Sequence, residues 1–147
     1  KPPPTQNLHI NIQDSVIKQV DHITYLGIIL DEQLHWQPHI ESLCKKLSRV
    51  CFTLLKCQQY FDSVTLRTIY FSLFHSHLSY CVESWGHTYP KYLEPLFKIK
   101  KRAIRFISYS SYRAHTTPLF KSLKILPLHL IIQHKTAIMV HRSITSN

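Results

Sequence analysis

The feature that most constrains this chain is a change of hydrophobic period at Trp36. Before it, Leu8, Ile10 and Ile12 alternate with polar neighbours, Gln13-Asp14-Ser15 reads as a turn, and Val16 to Val20 supplies the returning strand. Thr24-Tyr25-Leu26-Gly27-Ile28-Ile29-Leu30 follows as one more β-rich run that ends at Asp31. After Pro38, a residue suited to a first helical turn, the spacing becomes three to four. Ile40, Leu43, Cys44, Leu47, Val50, Cys51, Leu54 and Leu55 then fall on one side of a helix at about 100° per residue. Lys45, Lys46, Arg49 and Lys56 fall on the other side. The expected fold is therefore mainly α, a helical bundle with a small N-terminal β-hairpin and strand, α+β overall.

The helical pattern continues to the end. Asp62 or Ser63 is placed to cap a second helix through Val64, Leu66, Ile69, Tyr70, Leu73 and Phe74, ending near Tyr80. This helix is apolar nearly all round, which predicts a central position. A linker from Glu83 to Pro90 leads to a third helix over about Lys91 to Tyr109. Leu96, Ile99, Ala103, Phe106 and Ile107 share one of its faces, while Lys98, Lys101, Arg102 and Arg105 share the other. A Ser/Tyr/Thr-rich loop, a short helix from Pro118 and a last amphipathic segment from Leu128 to Arg142 complete the chain. Three regions result: 1–35, 36–90 and 91–147.

Charge divides the chain unevenly. Residues 1–94 carry eight basic and eight acidic side chains, whereas residues 95–147 carry ten basic residues and no acid. The whole net charge of +10 thus belongs to the last third, with its densest part at Lys98, Lys100, Lys101, Arg102 and Arg105 and with Arg113 in the loop beyond. A field of one sign concentrates polyanions, nucleic acid first. Tyr109 and Tyr112 interleave with the cations and could stack on bases or serve packing. Two glycines cannot build a dinucleotide fingerprint or a phosphate loop, and no apolar run is long enough to span a membrane. The chain opens on Lys1-Pro2-Pro3-Pro4 without a signal peptide, and its single methionine is Met139, which reads as a piece of something longer.

Groups for catalysis are sparse. Cys44, Cys51, Cys57 and Cys81 form no Cys-x-x-Cys pair, and His75-x-His77 is the nearest approach to metal-ligand spacing. Small core residues are the plainer role for these cysteines. Asp31-Glu32 is the only adjacent acidic pair and reads as a strand-to-helix turn. Two-metal phosphoryl transfer needs carboxylates that converge on cations, and no such set is evident. An independent hydrolase would need a pocket in which a cysteine or carboxylate meets a histidine.

Several blocks of the chain resemble one family. Tyr25-Leu26-Gly27-Ile28-Ile29-Leu30-Asp31, Leu34-His35-Trp36-Gln37-Pro38-His39-Ile40 and Leu43-Cys44-Lys45-Lys46-Leu47-Ser48-Arg49 are similar to the stretch after the catalytic palm in reverse transcriptases of LINE-type (non-LTR) retrotransposons. Tyr70 to Tyr80, Trp85-Gly86, Lys101-Arg102-Ala103-Ile104-Arg105 and Ser111 to Phe120 continue the likeness, which covers about residues 8–130. The resemblance implies an end-of-palm β segment in 1–35, thumb-like helices in 36–90 and a basic helical region in 91–147. It implies that Tyr25, Leu26 and Gly27 lie on the primer side, with Gly27 permitting close backbone approach. It also implies that Lys98, Lys101, Arg102, Arg105 and Arg113, then Lys45, Lys46 and Arg49, hold the phosphates of an RNA template and DNA primer or their hybrid. The family's aspartate motifs, including the Asp-Asp pair, are not in this sequence, and Tyr80-Cys81 stands where the family often has Tyr-Gly. On this reading the chain alone is not an enzyme and binds no metal or cofactor. The parent polymerase would use Mg2+ and would supply the palm and fingers. The alternative is a structural or protein-interaction remnant without nucleic-acid binding.

Overall fold

A computed structural model of the chain describes residues 10–12, 15–17 and 19–145. Strands β1 (Ile10–Ile12) and β2 (Ser15–Ile17) pair antiparallel with Ile12 opposite Ser15. The expected first hairpin is thus present and Ser15 already belongs to its returning strand. Leu8 and the Gln13-Asp14 turn lie outside the described residues.

The following β-rich run is not one strand. It folds into a second antiparallel hairpin of β3 (His22–Tyr25) and β4 (Ile28–Asp31), with Tyr25 opposite Ile28. Leu26 and Gly27 form the two-residue turn at φ 47° and 80°. Positive φ at both central positions suits the right-handed twist of a hairpin, and glycine takes it without steric cost. The turn has a local cause: Gly27 interrupts an apolar run whose composition alone does not mark one.

Asp31 joins this hairpin to the helices. Its carboxylate accepts from the backbone N–H groups of His35 at 2.9 Å and Trp36 at 2.7 Å. Helix α1 (Gln37–Cys57) starts there with Pro38 in its first turn and buries Ile40, Leu43, Leu47, Cys51 and Leu54. Leu55, expected on the same stripe, is exposed because the buried strip is narrower than the apolar one.

Asp62 caps α2 (Ser63–Ile69), its side chain accepting from the Thr65 N–H at 2.9 Å. The helix passes through a π-helical stretch at Tyr70–His75 into α3 (Ser76–Ser79). Its buried residues are Leu66, Tyr70, Phe74 and Leu78, spaced by four. In a plain α-helix that spacing drifts by about 40° per step. The wider π turn takes up the drift and keeps the four on one line. The helix is central on that side only, since Val64 and Leu73 are exposed.

Cys81 then takes a left-handed conformation, φ 47°, and a single turn α4 (Val82–Trp85) carries the buried Trp85. Helix α5 (Pro90–Ile107) lies along α1, α6 (Thr116–Ser122) packs on α5, and α7 (Leu128–Thr145) packs on α4. One apolar cluster runs from Ile28 through α1, α3 and α5 to Ile132. The mainly α, α+β class is what the molecule adopts.

Candidate nucleic-acid interface

Helix α5 is amphipathic because Leu93, Leu96, Ala103, Ile104 and Ile107 follow a three-to-four spacing and are buried. The same spacing turns most of its cations outward. Lys98 and Lys101 are exposed, and Arg102 and Arg105 are half-buried. These four side chains, with Ile99 and the exposed Tyr112, line one recess of about 290 Å³. None of the lining residues is acidic.

Three of these cations are held differently. Lys98 pairs with Glu94 at 2.7 Å across one helical turn, an exposed pair that contributes little and yields readily to a competing anion. Arg105 donates from Nε to the Ala114 carbonyl at 3.0 Å, which ties the loop after α5 back to the helix. Its guanidinium also lies 5.9 Å from the centre of the Tyr112 ring. Arg102 keeps a buried Nε without a hydrogen-bond partner. It stands beside Cys51, where burial pushes the thiol up to about 11 against the opposing pull of the Arg102 charge.

Tyr112 is 81% exposed, so the ring face away from Arg105 is open for stacking. Tyr109 serves the fold instead. Its hydroxyl donates to the Gln58 carbonyl at 3.1 Å and to that of Phe61, closing the loop after α1.

The other expected site residues lie outside this recess. Arg113 is exposed in the loop after α5, and Lys45, Lys46 and Arg49 are exposed on α1. The charge of Lys46 acts on His39 and His77, adding to the burial that lowers the pKa of both rings. Tyr25, Leu26 and Gly27 sit at the tip of the second hairpin, where the Leu26 carbonyl accepts from the Tyr80 hydroxyl at 2.8 Å. A methyl group on Gly27 would meet only the Tyr80 ring, at 4.0 Å. That glycine takes a positive φ and leaves the hairpin tip uncrowded. Within the chain the crowded glycine is Gly86, where an added Cβ would stand 2.4 Å from the Val82 carbonyl and 2.9 Å from Ile132 on α7.

One residue of the basic run departs from the rest. Lys100 is only 1% exposed, and its Nζ has no hydrogen-bond partner. The sequence carries a signal for this, since Lys100 follows Leu96 by four and precedes Ile104 by four. Lys100 counts toward the dense basic run but is not one of the four outward cations, and the helical period puts it on the buried face.

Among the described residues, no group of three or more His, Cys, Asp or Glu is placed to hold a metal ion. No helix there is long and apolar enough to cross a membrane. Neither described recess is lined by a cysteine or a carboxylate. No protein-family model, curated protein or solved structure matches the chain.

Proposed function

We propose that the chain is the substrate-holding, non-catalytic part of a non-LTR retrotransposon reverse transcriptase, positioning an RNA template and a DNA primer for synthesis carried out elsewhere in that polymerase. The observation that supports this reading is the recess on α5, where Lys98, Lys101, Arg102 and Arg105 converge beside an exposed tyrosine. Cations along one helix face suit a phosphate backbone, because hybrid duplexes are held by shape and backbone rather than by base edges. An aromatic face at the rim adds stacking that tolerates any sequence. The hairpin tip at Tyr25-Leu26-Gly27 is the primer-side element of the same proposal, and Lys45, Lys46, Arg49 and Arg113 are further backbone contacts.

Binding of an RNA–DNA hybrid, followed across a salt series, tests the reading. Affinity should fall linearly in log–log form, and each phosphate contact removed should lessen the slope by about 0.9. Replacing Lys98, Lys101, Arg102 and Arg105 by Gln should abolish most binding while circular dichroism stays helical. No affinity at low salt, or affinity unchanged in the variant, rejects the proposal and leaves the structural or protein-interaction reading.

A further inference from the structure

A second and larger recess lies between the C-terminal half of α5, α6 and the start of α7. Its volume is about 770 Å³, within the range of pockets that hold small molecules. Phe97, Phe120, Ile125 and Leu128 give it apolar walls, and Lys100 is part of its lining. The Lys100 ammonium lies 5.9 Å from the centre of the Phe120 ring and has no hydrogen-bond partner. Burying an amine without a partner is costly, and an incoming acceptor would remove that cost.

We propose that this recess binds a small amphipathic anion, a carboxylate on an apolar chain or ring, with the acid group at Lys100 and the apolar body between Phe97, Phe120, Ile125 and Leu128. Three observations select this class. A neutral apolar ligand would fill the walls but leave Lys100 unpaired. A cation would meet Lys101, Lys121 and Lys124, which also line the recess, with no carboxylate among the lining residues to offset them. A hydrated phosphate chain carries no apolar body to place against two phenylalanines.

The buried amine adds a second signature. Burial pulls Lys100 from its ordinary 10.5 down to about 7. An anion at its side restores the charged form, so binding near pH 8 takes up a proton. The other titratable groups around it are Lys101, Lys121, Lys124 and His129 in the lining and His75 on the π turn, whose ring feels both Lys100 and Lys135. His75 is lowered first by burial and then by those charges.

The test is calorimetry of the full chain with decanoate and with 1-decanol, each kept below micelle formation. One decanoate should bind per chain, about tenfold or more tighter than 1-decanol, the fold-change of one charge-assisted hydrogen bond. The binding heat at pH 8 should depend on the buffer's ionisation heat, which reports the proton taken up. Lys100→Met keeps the length and apolar character of the side chain, and it should remove both the preference for the anion and the proton uptake. Lys91→Gln, on the same helix but outside the recess, should leave both in place. Equal affinity for the two ligands, several equivalent sites, absence of binding, or an anion preference that survives in Lys100→Met would each overturn the proposal. Hybrid binding at the neighbouring recess is a separate measurement and does not bear on this one.

Discussion

The hydroxyl of Tyr80 donates a hydrogen bond of 2.8 Å to the carbonyl of Leu26, 54 residues away, and so fastens the tip of the second hairpin to the end of α3. Both residues are exposed. The contact therefore contributes little to global stability and much to where the hairpin tip sits.

Tyr80→Phe isolates that role. Global unfolding in urea should weaken by about 0.5 kcal/mol, the low end for one hydrogen bond, because water replaces the lost donor. Amide exchange at Gly27 and Ile28 should quicken while exchange in α1 and α5 stays as it was. Unchanged exchange at the tip would show that the hairpin holds its place without the phenol.

The two glycines should answer differently to alanine. Gly27→Ala meets only an ordinary contact with the Tyr80 ring but forces a side chain to positive φ, at a cost of about 1–2 kcal/mol. Gly86→Ala drives a methyl group into the Val82 carbonyl and Ile132, an overpacking cost of about 1–3 kcal/mol. A double-mutant cycle separates the mechanisms. Ile132→Ala should be strongly non-additive with Gly86→Ala and additive with Gly27→Ala. Additivity in both pairs would remove the contact between Gly86 and α7 as the cause.

Lys100 should make stability depend on pH in a definite direction. Its folded pKa, about 7, lies below the ordinary 10.5 because burial disfavours the charged form. Between those values the unfolded chain binds more protons than the folded one, so stability from this group rises with pH across that window. The gain is complete above 10.5 and is lost as pH falls through about 7. Lys100→Met removes the liability and should stabilise the protein at pH 7 by about 1–4 kcal/mol, the scale seen when buried charges give way to apolar side chains. The gain should shrink at pH 10. Denaturant titrations at both pH values read this directly, and destabilisation by Lys100→Met at pH 7 would contradict the account.

Much of the architecture is legible in local chemistry. The three-to-four spacing of Ile40, Leu43, Leu47, Cys51 and Leu54 marks the buried stripe of α1, and Asp62 marks the start of α2. Both are short-range signals: a helical period needs only neighbours within one or two turns, and a cap needs one side chain and the next N–H. The acid-free tail is equally plain, and the four outward cations of α5 do line one recess. The second hairpin was less legible, since its turn rests on a single Gly27 inside an apolar run.

Local sequence thus sets the helical class, the faces that α1 and α5 bury, and the basic character of the last third of the chain. Tertiary packing decides what surrounds the Lys100 amine, that Cys81 carries a left-handed turn, and that Gly86 has no room for a side chain. The reason is range. Periodicity says which way a side chain points from its own helix, but what meets it there comes from distant segments. Phe120 and the stretch from Ile125 to Leu128 close over Lys100, and Ile132 comes down on Gly86.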